Sequence, residues 1–369
     1  MYKGKTVIDV HGHMSTPPHF RAHAYNLIAL RTPGEGAAEI PEAAMKAALD
    51  RHLRLLDERN VDVQLISPRP VAMMHWERPF LVEAWTTTTN DVIAQQCALH
   101  PKRFVGVAQL PQTPDLNIRA CVAELERCIE KLGFVGALLN PDPGGDRRAP
   151  GLDSSEWFPL YECAQALKAT LVVHPSLSRD PRIERIPHSY QYNNLTEETL
   201  ATLLLEYSDV FQRFPNLKVV VCHCGGSPRR LLEKGDVLDA TNPSRERDNV
   251  VGASGEQAGG QVGTKAKTVT HVRPDLSENL FFDTCAYDPW YLAAAIRQRG
   301  ANRMVFGTES PGAGTAVLNP MTGKAADDIL ATLSQFDFLS DEDRIDIVHN
   351  NPARVFPLLK GKEAVTCAR

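Results

Sequence analysis

The sequence holds no apolar run approaching the ~18 residues needed to cross a bilayer. It holds no basic stripe or polybasic arm either: 40 Lys and Arg stand against 45 Asp and Glu, a formal charge of −5. That balance offers nucleic acid or an anionic membrane no electrostatic footprint, so neither is expected as a partner. Only Met1–Lys5 precede the first apolar run, too polar and short for a secretory signal, and a cytoplasmic setting is expected. The eight cysteines lack the spacing of a small disulfide scaffold. Cys97, Cys121, Cys128 and Cys163 fall in helical patterns, where a free thiol serves as a small apolar residue. Cys222-His223-Cys224 has no second close Cys/His pair to complete a closed thiolate zinc site. No Gly-x-Gly-x-x-Gly follows the first strand pattern, which weakens an open dinucleotide-binding sheet as the alternative fold.

What is present is alternation. Short β-branched runs predict eight strands: Thr6–His11, Val61–Ser67, Arg103–Leu110, Phe134–Asn140, Ala169–His174, Leu217–His223, Asn279–Thr284 and Arg303–Thr308. Helical periodicity over about 41–60, 82–99, 116–132, 156–167, 196–214, 228–238 and 289–299 fills the intervals. Eight β-α units and 43% apolar residues suit an α/β fold, a (β/α)8 TIM barrel, for which ~250 residues are typical. One domain over 1–369 is expected, with a polar, Gly-rich insertion at 239–278. Long βα loops are expected at 17–40, 140–154 and 176–194. C-terminal helices should start at Ser340, with Asp343 closing a capping box, and at Asn351-Pro352, an N-cap followed by proline.

Chemistry in such a barrel sits at the C-terminal strand ends. There the sequence places His11 and His13 (strand one), His174 (five), His223 (six) and Glu309 (eight). Residues i and i+2 of a strand project to one side, so His11 and His13 can enter the barrel mouth together, with Gly12 leaving room for a close approach. Neutral imidazoles with a carboxylate suit a divalent first-row ion. Asp9, in phase with the pair but deeper in the strand, reads as a buried acceptor behind the ligands.

This pattern resembles the amidohydrolase superfamily, and within it the aminocarboxymuconate-semialdehyde decarboxylase-like branch. Further stretches resemble the 4-oxalomesaconate hydratases: "SPR" (Ser67–Arg69), "LPQTPD" (Leu110–Asp115), "ELERCIEKLGFVGALLNPDPGG" (Glu124–Gly145), "FFDTCAY" (Phe281–Tyr287) and "ARVFP" (Ala353–Pro357). Most of the branch carries aspartate after strand eight; "GTES" places Glu309 there, as the hydratases do. The resemblance implies one divalent metal held by His11, His13, His174 and Glu309, with zinc first and iron or manganese as alternatives. It implies His223 as a proton-transfer residue, or as a ligand to a second metal, with Glu309 sharing the proton work. The implied activity is a hydro-lyase that adds metal-activated water to a small unsaturated di- or tricarboxylic acid, in aromatic-compound catabolism. It also implies a homo-oligomer, or assembly with a related subunit. The chain departs from the hydratases in Ser310–Gly323, which lacks their arginine, and in 176–193 and 239–278.

Substrate-binding candidates are Arg69, a guanidinium suited to a carboxylate, then Asn140, Tyr190, Tyr192 and Asn193, with His188 beside them. His75 and Trp76 either rim the pocket or pack under a loop. The competing activities are a nonoxidative decarboxylase of the same branch, a metal-dependent hydrolase and an iron-dependent oxygenase. A non-catalytic barrel subunit is the alternative of a different class.

Overall fold

The computed structural model describes residues 1–30, 40–227 and 276–360. Eight parallel strands follow one another in chain order: β1 Ile8–His13, β2 Val63–Ser67, β3 Phe104–Ala108, β4 Gly136–Leu139, β5 Thr170–Val173, β6 Val219–Val221, β7 Leu280–Asp283 and β8 Met304–Val305. Two hydrogen bonds bring the last strand region back to the first: Val10 N–H to Phe306 O at 2.8 Å, and Glu309 N–H to His11 O at 2.6 Å. The (β/α)8 barrel expected from the alternation is the fold. Ile8, Val10, Val63, Leu65, Val107, Val172 and Phe281 fill its interior, and Val355, Phe356 and Leu359 join the same cluster. The larger cluster lies between strands and helices, with Trp85, Trp157, Tyr161 and Phe104 among its members.

Several boundaries differ from the sequence reading. The first βα loop contains a helix, Pro18–Leu30, and the loop after β5 gives way at Ser189 to a helix running to Glu206. Strand β8 ladders over two residues only. At Ser340 the capping box forms as expected. The second start at Asn351 does not: the chain passes from Asp341–Ile345 through a π-helical turn, Asp346–Asn350, into Asn351–Val355. Proline lacks the N–H that an α-helical turn would require at residue 352, and the wider turn accommodates it. Asn351 does not cap; its side chain donates to Ala301 O and Met304 O and ties this helix to β8. The predicted helix at 228–238, Arg229-Arg230 within it, and all but the end of the 239–278 insertion lie outside the described residues.

Strand β1 carries a bulge. Asp9 pairs with Gln64 and Gly12 with Ile66, so three steps on β1 match two on β2. An extra residue reverses the side-chain phase beyond it. Asp9 and His11 therefore do not share a face, as a regular strand would require. Val10 faces the interior, and His11 and His13 return to that side at the mouth.

A histidine-rich candidate metal centre

The five candidate ligands are delivered by the ends of four strands. His11 and His13 end β1, His174 follows β5, His223 opens the turn after β6, and Glu309 lies four residues past β8. The backbone at His223 and Glu309 is left-handed, φ 46° and 57°. Non-glycine residues held there cost about 1–3 kcal/mol each and persist where surrounding structure imposes them. Around Glu309 that structure is visible. The Asp9 carboxylate accepts from His11 N–H (3.0 Å), Thr308 N–H (3.1 Å), Thr308 Oγ1 (2.6 Å) and Gln64 Nε2 (2.7 Å). Gln64 Nε2 also donates to Ser310 O (2.7 Å), and Ser310 Oγ to Asp327 (3.1 Å). Glu309 is thus gripped through both chain neighbours. Asp9 is the buried acceptor expected, although it works from the opposite face, and burial raises its carboxyl to about 6. Gly12 is required by the same network: a Cβ there would lie 2.1 Å from Gln64 Cδ. The close approach is a side chain of this chain.

The imidazole rings of His11, His13, His174 and His223 lie 5.0–5.6 Å apart in five of their pairings. Donor atoms of His11, His174, His223 and Glu309 fall within 4.8 Å of one another. Glu309 Oε1 stands 3.7 Å from both His13 Nε2 and His223 Nε2. All five predicted residues converge, and His223 stands in the cluster on equal terms with the others.

The tautomers follow from the outer partners. His11 Nδ1 faces Asp283 Oδ2 at 2.7 Å and His174 Nδ1 faces Pro175 O at 2.7 Å, both pure acceptors. His13 Nδ1 meets Ser67 Oγ at 3.0 Å, whose own proton goes to Gly12 O. His223 Nδ1 faces Glu198 Oε1 at 2.6 Å. Each Nδ1 donates, so each neutral ring turns an Nε2 lone pair inward. Against the opposing effect of burial, Cys222 and Asp283 hold His11, and Glu198 holds His223, well above the ordinary imidazole value, so these two offer that lone pair once the Nε2 proton is displaced, as by a cation. The Nε2 atoms of His11, His13 and His174 are buried without a hydrogen-bond partner among the described residues. One such orphan costs about 1–3 kcal/mol. Three aimed at one place fit a cation. Burial pushes His13 down to about 4 and, with the neighbouring imidazoles, His174 well below its ordinary value, so both are neutral. Burial raises Glu198 to about 7. Burial would raise Glu309 too, but the imidazoles of His13, His223 and His11 around it hold it well below the carboxylate range.

A cavity of about 120 Å³ opens beside the cluster, lined by His13, Arg69, His174, Tyr190, Asn194 and Glu309 among others. Of the five substrate-binding candidates, Arg69 and Tyr190 reach it. Asn140 does not: its amide bonds His75 Nδ1 (3.1 Å) and its Oδ1 accepts from Asp142 N–H. Asn193 is buried and donates to Ser176 O, and Tyr192 is 52% exposed. Asn194, one residue on, lines the cavity instead. His75 is fully buried rather than at the rim. Gly312 and Ala313 place the arginine-free segment on the cavity wall. Sequence reading missed Glu198, Ser67 and Tyr287, whose hydroxyl donates to Glu309 Oε2 at 2.7 Å. Helical periodicity hides Glu198, because it is buried on a helix that carries other acids.

A (β/α)8 barrel whose strand ends converge four histidines and a glutamate defines a metal-dependent barrel enzyme. The amidohydrolase family's sequence profile matches residues 8–358, and the chain belongs to that family. It is 30% identical over 367 residues to a 2-keto-4-carboxy-3-hexenedioate hydratase of Sphingobium sp., covering 96% of this chain and 97% of the relative. The crystal structure of a 4-oxalomesaconate hydratase from Rhodopseudomonas palustris superposes with TM-score 0.77 at 25% identity, covering 98% of each chain. A dihydroxybenzoic acid decarboxylase from Polaromonas, solved with bound manganese and an inhibitor, shares the fold: TM-score 0.62, 22% identity, 97% and 99% covered. The chain stands among the lyases of its family, and a divalent metal is supported at its centre. No helix among the described residues is long and apolar enough to cross a membrane.

Proposed function

We propose that the protein is a metal-dependent hydratase that adds water across the carbon–carbon double bond of a small unsaturated di- or tricarboxylic acid formed in aromatic-compound catabolism. The observation that carries the reading is Arg69. Its guanidinium lines the cavity beside His13, His174 and Glu309, mostly buried, with no hydrogen bond or ion pair among the described residues. A partly desolvated guanidinium gains from an anionic partner, and a substrate carboxylate can supply one bidentately. The 30% identity to a hydratase over nearly the whole chain supports hydration over decarboxylation.

His11, His13, His174 and Glu309 would hold the ion, and three imidazoles with one carboxylate favour zinc, with iron and manganese the alternatives. When bound, such an ion supplies Lewis acidity and a more acidic water. Arg69 fixes one carboxylate and so orients the double bond. Tyr190 and Asn194 close the cavity on the side of the helix from Ser189. His223, oriented by Glu198, holds or releases a proton at Nε2, with Glu309 Oε1 3.7 Å away. General acid–base transfer of this kind contributes ~10²–10⁴-fold. Seven free cysteines among the described residues support a reducing, cytoplasmic setting. An assembly of like subunits is the proposed state, read by sedimentation.

The test is incubation of metal-analysed protein with unsaturated tricarboxylic acids in ¹⁸O-labelled water. Label in the product together with loss of conjugated absorbance is expected. Release of CO₂ with no label replaces the hydratase by a decarboxylase.

A further inference from the structure

The two oxygens of Glu309 have different surroundings. Oε1 faces His13 Nε2 and His223 Nε2, each at 3.7 Å. Oε2 is turned the other way, taking the Tyr287 hydroxyl at 2.7 Å with the Cys285 thiol at 3.8 Å. Tyr287 belongs to the extension of β7, "DTCAY". Alternate residues of that segment touch the centre: Asp283 holds His11 Nδ1, and Cys285 and Tyr287 meet Glu309. The ring of Tyr287 is wedged under the loop that follows Glu309. A Cβ at Gly314 would lie 2.4 Å from Tyr287 Cε1, and one at Gly312 would lie 3.4 Å from its hydroxyl. Glu309 needs such an anchor. It stands beyond the ladder of β8, on a left-handed residue, and its side chain has one more rotatable bond than aspartate.

We propose that Tyr287 is a positioning residue: its hydroxyl occupies Glu309 Oε2, so that Glu309 meets the metal through Oε1 alone. This rests on the reading of Glu309 as a ligand. Tyr287 does not line the cavity, so it acts through Glu309 and not on the substrate. Without the hydroxyl, Oε2 is released, and the carboxylate is free to rotate or to take the ion through both oxygens.

Cobalt(II) added to metal-free protein reports both ideas, because its visible bands weaken as coordination number rises. Wild type is compared with Glu309→Ala, Tyr287→Phe and Tyr287→Met. Phe keeps the ring in its slot, and Met fills the space flexibly without a hydroxyl should the Phe variant precipitate. Both Tyr287 variants should show an altered cobalt spectrum and metal affinity weaker by about 10–100-fold, the usual effect of losing an outer partner of a ligand. In zinc-loaded enzyme kcat should fall while KM for substrate holds. Wild-type spectrum and affinity in the Tyr287 variants, with Glu309→Ala altered, overturns the role of Tyr287 and leaves the ligand reading intact. A Glu309→Ala protein identical to wild type overturns the ligand reading itself.

Discussion

His75 is a buried imidazole that should make the protein sensitive to mild acid. It donates from Nε2 to Leu110 O (3.1 Å) and accepts at Nδ1 from the Asn140 amide (3.1 Å). Both bonds suit the neutral ring, and burial pushes its pKa down to about 4 from the ordinary 6.5. The sign follows. Above pH 6.5 the ring is neutral folded and unfolded, and contributes no pH dependence. As pH falls from 6.5 towards 4 the unfolded chain takes up a proton that the folded one refuses, and stability is lost. At 1.36 kcal/mol per unit, the loss is about 2 kcal/mol at pH 5 and saturates near 3 kcal/mol below pH 4. Wild type alone would blur this, because Asp9 and Glu198, raised to about 6 and about 7, shift stability the other way. A difference isolates it. His75→Gln keeps one donor and one acceptor in similar places and does not titrate. Urea unfolding of both metal-saturated proteins should show the wild-type advantage over the variant shrinking by about 2 kcal/mol between pH 7.5 and pH 5. An advantage that stays constant or grows refutes the neutral buried imidazole.

Three further outcomes are expected. The double variant His11→Ala/His13→Ala should purify without stoichiometric metal by elemental analysis while keeping its circular dichroism; full metal content would dismiss the centre. Arg69→Ala should raise KM for a carboxylate substrate by about 10–100-fold, equivalent to the ~1.5–3 kcal/mol of a charge-assisted bond, with Arg69→Lys between, and an unchanged KM would remove Arg69 from recognition. Gly12→Ala should lower stability by about 1–3 kcal/mol and reduce metal content, because Gln64 must move and it grips the Glu309 segment. Wild-type melting and metal content would show that Gln64 yields freely.

The barrel was legible because burial forces strand and helix periods to alternate visibly along the chain. The five ligand-type residues were legible because strand ends are marked by where β-branched runs stop. The i, i+2 rule accounts for one pair only in part, however. His11 and His13 face the mouth through a bulge, and no residue in "VIDVHGH" announces the extra step. Asn140, at the end of the fourth strand, and Asn193, in the stretch after His174, read as substrate contacts, yet their amides serve His75 and Ser176. Residue type alone does not tell a donor aimed at a ligand from one aimed at the backbone. Glu198 and Tyr287 reach the centre only through tertiary structure, 25 and 22 residues from the side chains they hold.

The seam of the barrel runs through the centre. The bond from Glu309 N–H to His11 O joins residues almost 300 positions apart, and Thr308 meets Asp9 across the same line. Three of the donors come from the first half of the chain. They have no carboxylate to work with until the last quarter has docked against the first strand. With the proposed ligand set, a chain truncated before Glu309 should bind the ion more weakly than the full chain, which metal titration of the two would read.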